Sequence, residues 1–197
     1  MDSKPATSKD RREFYRVSCS AAIEIEELTH EAQALADIYT LPAESIMINE
    51  FRIMSAESNS LLKTLADRDS SLGAYLKVLN KKIDLLAATI TSGSENKFAQ
   101  AAQEIDISEG GIHFCWPKTF KNNQRLALRL TLLPDNLSFV LAAVVRSSQK
   151  QHASAELAAH FLVNVEFENI DTTSHQLIAR FIAQQQRRMI NQPKNKH

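Results

Sequence analysis

Two short runs carry residue types able to do chemistry. The first is RREFYR, residues 11–16, with Arg11 and Arg12 followed by Phe14, Tyr15 and Arg16. A guanidinium is planar and permanently charged. It forks onto phosphate oxygens and onto the O6/N7 edge of guanine, and it stacks on bases. The second is DISEGGIHF, residues 106–114, which holds two of the chain's four glycines, Gly110 and Gly111. In a strand, Asp106 and Ser108 face one side while Ile105 and Ile107 face the other. Asp106 can accept from the N1–H and N2–H2 donors of a guanine edge. Ser108 can donate to a phosphate or a purine acceptor. The glycines let the backbone turn tightly and approach a ligand with no Cβ in the way. Each run also has a plainer reading: a solvated basic tail for the first, a hairpin or bulge with Asx-turn chemistry for the second.

Other constellations are missing. There is no GxSxG, no Walker loop and no GxGxxG. The six histidines, among them His113, lack metal-ligand spacing, so no metal or cofactor is expected, and no base or nucleophile marks an enzyme. His113 alternates with apolar neighbours and reads as a strand-face residue. Lys plus Arg equals Asp plus Glu, 23 against 23, so any anion site must be local and a nucleic-acid polymer is not implied. Cys19 and Cys115 have no CxxC spacing and read as buried reduced thiols of a cytoplasmic protein. The start of the chain has no apolar core of signal-peptide length and no run reaches about 18 apolar residues, so neither secretion nor membrane insertion is expected.

The elements that must position these residues follow from periodicity. Residues 1–10 and 191–197 are polar and read as disordered tails. In VSCSAAIEIE, Val17, Cys19, Ala21, Ile23 and Ile25 alternate with polar residues, which predicts a half-buried strand. From residue 27 to 99 alternation disappears. A short helix is expected over 28–40. A longer one follows Pro42 and runs to about Ala66, with Met47, Phe51, Met54, Leu61 and Leu65 on one face. After a cap at Asp69 or Ser70, Leu72, Leu76, Leu79, Ile83, Leu86 and Ile90 form a heptad seam that Gly93 is expected to end. Val78 and Leu85 widen this stripe. An intramolecular hairpin would use only part of so wide a face; pairing of hairpins between subunits, through helices 43–92, would bury more. Alternation then returns at EIDI and GIHF, at Leu126–Leu132, Phe139–Val145 and Phe161–Phe167. A last helix is expected over 174–190, with caps from Asp171 to Ser174. Five or six short strands with turn-rich links read as a small antiparallel barrel, and residues 27–99 as an insertion into it.

Taken together, Arg12-x-x-x-Arg16 before a first strand and Asp106-x-Ser108-x-x-Gly111 on a later one resemble the PilZ domain family. VVR at 144–146, VNVEF at 163–167 and LIARFIAQQQRR at 177–188 are similar to further parts of it, although Asn164 stands where a glycine is common. The resemblance covers residues 10–26 and 100–190 and not the insertion. It implies an α+β fold: a six-stranded antiparallel PilZ-type barrel with a C-terminal helix, here with a long α-helical insertion between the first two barrel strands. It implies a receptor for cyclic di-GMP, with Arg12 and Arg16 on guanine and phosphate, Asp106 and Ser108 on the guanine edge, and Gly110 and Gly111 clearing the approach. Arg11 is an added fork and Arg146 a further contact. The segment carrying the arginines would order on binding, and an unknown downstream protein would read the change. The alternative is an oligomeric scaffold that binds no nucleotide, in which the motif residues satisfy one another, for example Arg16 with Asp106.

Overall fold

A computed structural model of the chain describes residues 15–28, 35–100, 102–151 and 160–191. The expected tail at 1–10, residues 192–197 of the other tail, and both Arg11 and Arg12 lie outside the described residues. In chain order the elements are β1 (Val17–Glu27), α1 (Leu35–Ile38), α2 (Ala43–Arg68), α3 (Ser70–Gln100), β2 (Ala102–Ser108), β3 (Gly111–Trp116), β4 (Arg125–Leu132), β5 (Leu137–Lys150), β6 (Phe161–Glu168) and α4 (Thr172–Asn191). The strands close an antiparallel barrel in the order β1-β2-β3-β6-β5-β4.

The apolar alternation builds one core. Val17, Cys19, Ala21 and Ile23 of β1 meet Ile105 and Ile107 of β2, and the four leucines of β4 are fully buried. α4 adds Leu177, Ile178, Phe181 and Ile182 to the same cluster. Burial of these side chains supplies the main stabilisation, on the order of 1.5–3 kcal/mol for each large one. The N-terminus of α4 is capped by Asp171, whose Oδ1 accepts from Ser174 N at 2.9 Å. Cys19 sits deep in this core. Burial, with Glu104 and Asp106 nearby, pushes its thiol up to about 12, so it stays protonated.

The insertion is a helical hairpin. Asp69 ends α2 and caps α3, its Oδ1 accepting from Ser71 N at 2.9 Å and Leu72 N at 3.0 Å. The helices cross tightly where Gly73 faces Ala66; a Cβ on Gly73 would lie 2.6 Å from Ala66 Cβ. Two expectations need correction. α3 does not stop at Gly93 but continues to Gln100. One interior glycine costs a helix only about 1 kcal/mol, too little to end it. The buried residues of α2 are Ser45, Ile48 and Leu62, not the Met47–Leu65 stripe. Met47, Met54, Leu61 and Leu65 are exposed, as are Leu72, Val78, Leu79, Ile83, Leu85 and Leu86 of α3. The hairpin packs through its narrower faces and turns its wide apolar stripes outward.

α2 is fastened to the barrel at two points one turn apart. Asn49 Nδ2 donates to Ser138 O at 2.7 Å while Ser138 N donates to Asn49 Oδ1 at 3.2 Å. Arg52 then pairs with the nearly buried Asp135 at 3.4 Å, and Asp135 also receives Arg188 of α4 at 3.6 Å. Asn49→Ala removes both bonds and leaves the buried Ser138 backbone unsatisfied. It should lower the unfolding free energy by roughly 1–3 kcal/mol, read as a reduced denaturant midpoint. Asn49→Gln, one methylene too long for both contacts, should not restore it.

Candidate functional site

Strand register brings the two motif halves together. Ser18 on β1 stands opposite Asp106 on β2, Asp106 opposite His113 on β3, and His113 opposite Asn164 on β6. These four form an outward-facing polar row across the barrel wall, over a layer of core residues. Ser18 Oγ donates to Asp106 Oδ1 at 2.5 Å, which fixes the carboxylate on its strand. Arg16, exposed at the lead-in to β1, donates from Nη2 to Asn164 Oδ1 at 3.5 Å. Because β2 and β3 lie between β1 and β6, its side chain runs across the face of both. His113 lies beneath it. Burial and the Arg16 charge hold the imidazole below its ordinary value, against an opposing pull from Asp106, so it is neutral at pH 7.

The next outward row runs through Ser108, Gly111 and Glu166. Here the expectation for Ser108 changes. Ser108 is 5% exposed, and its Oγ donates to Gly111 O at 3.2 Å. It stitches the β2–β3 turn shut and does not present its hydroxyl to solvent. The glycines also differ from expectation. Among the described residues no glycine has a positive φ. Gly111 is required instead by close approach to β6: a Cβ there would lie 2.1 Å from Val165 O. Gly110 sits in the turn, and its carbonyl accepts from Phe167 N at 2.9 Å. The neighbouring turn residue Glu109 reaches His175 of α4 at 3.3 Å.

Arg146 enters from a bulge in β5 between Val145 and Ser147. A bulge re-aims the side chain it carries, and Arg146 Nε donates to Glu166 Oε2 at 2.6 Å. The structure therefore gathers Arg16, Asp106, Gly111 and Arg146 on one face, places Ser108 just beneath it, and leaves Arg16 unpaired with Asp106. The sequence reading missed Ser18, Asn164 and Glu166. Their outward positions were visible in the alternation of β1 and β6, but only register shows which strands lie side by side. Arg16 and Arg146 balance Asp106 and Glu166, so the face has no bulk cationic field of its own. A separate groove of about 640 Å³ lies between α2, α3 and the β4–β5 turn, lined in part by Met47, Phe51, Ile83, Leu86 and Pro134, and none of the candidate residues borders it.

Because Gly111 is held by Val165 O, Gly111→Ala must push β3 from β6. It should cost about 1–3 kcal/mol of stability, seen in thermal unfolding without any ligand. A binding loss in that variant would therefore not identify a ligand contact, whereas Asp106→Ala should leave the core packing intact.

The PilZ domain model matches residues 85–184, just over half of the 197. None of the curated proteins matches. Among solved structures, a tetrameric PilZ domain from Xanthomonas campestris, self-assembled via a helical bundle, is similar at 18% identity and a TM-score of 0.49, over 91% of this chain and 90% of that one. The PilZ domain of YcgR from Escherichia coli, with c-di-GMP, is similar at 14% identity and a TM-score of 0.37, over 48% and 80%. MrkH from K. pneumonia in its apo state is similar at 14% and 0.40, over 47% and 43%. The matched model begins inside α3 and takes in β2–β6 and most of α4, which include DISEGG and its register partners on β3 and β6 but not β1, so the chain belongs to the PilZ domain family.

Proposed function

We propose that the protein is a cytoplasmic receptor for cyclic di-GMP and not an enzyme. The observation that carries this reading is the lie of Arg16: its guanidinium crosses the barrel face over His113, beside a carboxylate that Ser18 holds in place. A cation above a polar floor suits a ligand with phosphates on one side and guanine edges on the other. In this reading Asp106 takes guanine N1–H and N2–H2, and Arg16 takes a phosphate or stacks on a base. Arg11 and Arg12 complete the cationic side when binding orders the N-terminal segment that carries the arginines across the face, and that ordered surface is the output read by a downstream protein. Ser108 keeps the turn closed beneath the floor. One observation favours the alternative of a nucleotide-free scaffold, namely that Ser108 is already bonded internally; against it, Arg16 is exposed and not tied to Asp106.

Calorimetric titration with cyclic di-GMP decides between the two. Binding at micromolar concentration or tighter is expected. Arg12→Ala and Arg16→Ala should each lose on the order of 1–3 kcal/mol. No heat and no binding at high protein concentration would leave the scaffold reading.

We further infer that α2 and α3 assemble the protein into a homo-oligomer. Apolar side chains exposed along both helices, including Leu61, Leu79, Leu85 and Leu86, make a surface that monomers rarely leave open to water. Light scattering at tens of micromolar should give a multiple of 22.1 kDa. Leu79→Gln with Leu86→Gln should return the monomer while cyclic di-GMP binding persists, since the residues lie on a different module. A monomeric wild type would overturn this.

A further inference from the structure

Two arginines reach the candidate face from opposite sides, and one strand holds both. Arg16 comes from the lead-in to β1 and donates to Asn164 Oδ1. Arg146 comes from the β5 bulge and donates to Glu166 Oε2. Asn164 and Glu166 are successive outward positions of β6, and their register partners on β3 are His113 and Gly111. We propose that Asn164 and Glu166 are positioning residues, a bracket that holds Arg16 and Arg146 over the His113–Gly111 floor with their free N–H groups turned toward the phosphates of a cyclic dinucleotide. This rests on the receptor reading above and deepens it.

The geometry of the contacts supports the assignment. A guanidinium has five N–H donors. Glu166 engages Arg146 at Nε alone, so the terminal Nη fork, the part that matches a phosphate, has no partner among the described residues. Asn164 likewise engages Arg16 through a single Nη2 contact. Long side chains lose rotamer freedom when a ligand fixes them, and a partner that orders them beforehand lessens that loss. The notch at Gly111 matters here too. With no side chain between Ser108 and Glu166, the floor stays low enough for both guanidinium groups to face a flat ligand. Asn164, which departs from the glycine common at this place in the family, gains a use: it supplies the acceptor for Arg16. The two brackets sit on the strand that the β5 bulge and the β3 floor both flank, so they hold cations that arrive from separate parts of the chain.

A carboxylate beside an anion site would by simple electrostatics repel the ligand, and this separates the proposal from its rival. Titrate cyclic di-GMP into the full chain and into Glu166→Ala, Glu166→Gln, Arg146→Ala and the Glu166→Ala/Arg146→Ala double variant. Glu166→Ala should bind roughly three- to tenfold more weakly, on the scale of coupled neighbouring groups. Glu166→Gln keeps an oxygen acceptor for Nε and should recover most of that loss. In the Arg146→Ala background the Glu166→Ala effect should vanish, and Asn164→Ala should depend on Arg16 in the same way. Tighter binding by both Glu166 variants would mean that the carboxylate only repels, and would overturn the proposal. So would an unchanged Glu166→Ala, or a loss that persists without Arg146. A wild type that binds no cyclic di-GMP would instead remove the receptor reading, and the bracket with it. Glu166 is 57% exposed, so these variants keep the fold, and matching unfolding midpoints verify it.

Discussion

β1 hydrogen-bonds to β2 along one edge and to β4 along the other, and without it the remaining five strands would be an open sheet with two bare edges. This closure has to be made across the whole helical insertion. The loop-closure cost rises only slowly with length, by about 0.6 kcal/mol per doubling, so a long insertion at this point is tolerable. What the closure returns is an apolar face of Val17, Cys19, Ala21 and Ile23 buried in the core. The same pairing sets Ser18 against Asp106 and aims Arg16 over the barrel wall. Core packing and site assembly are thus one event: a one-residue slip of β1 would expose its apolar set and carry Arg16 away from the floor together.

The barrel wall around the site is built so that its outward side chains organise one another. Ser18 holds Asp106, Asn164 reaches Arg16, and Glu166 holds Arg146. Each of these contacts is at least partly exposed and worth little to stability on its own. Their effect is on geometry. The rigid part of the floor comes instead from the backbone: Gly111 pressed against Val165 O, Gly110 O accepting from Phe167 N, and the buried Ser108 hydroxyl on Gly111 O. The wall thus carries adjustable side chains on a stiff backbone.

Much of this was legible in the residues, because period-2 alternation reports burial directly. It located β1, the strands from β2 to β6 and the capped last helix, and the motif spacing marked Arg16, Asp106 and Gly111. The rest depended on information that no local pattern holds. Ser108 alternates correctly with Ile107, yet lies where β2 turns into β3, and its hydroxyl finds a carbonyl across the turn. Gly111 looks like a turn glycine, but the need comes from β6, some fifty residues later. Asn164 and Glu166 are ordinary outward residues until the order β3-β6-β5 puts them between two arginines. In α2 the apolar stripe was visible, but the residue that bonds to the barrel is Asn49, a polar group whose partner Ser138 lies on β5.

The position of α4 links the two modules physically. Near its start His175 meets Glu109, in the turn that carries the glycine pair; near its end Arg188 meets Asp135, the carboxylate that also receives Arg52 from α2. Thirteen residues of helix separate these ends, about 20 Å at 1.5 Å per residue. Neither contact is strong, since each involves partly exposed groups. The helix itself is nonetheless stiff, and Leu177, Ile178, Phe181 and Ile182 fix it in the barrel core. A displacement of the Glu109–Gly110 turn is therefore taken up first at the exposed Glu109–His175 contact, the weakest link between the turn and the packed helix.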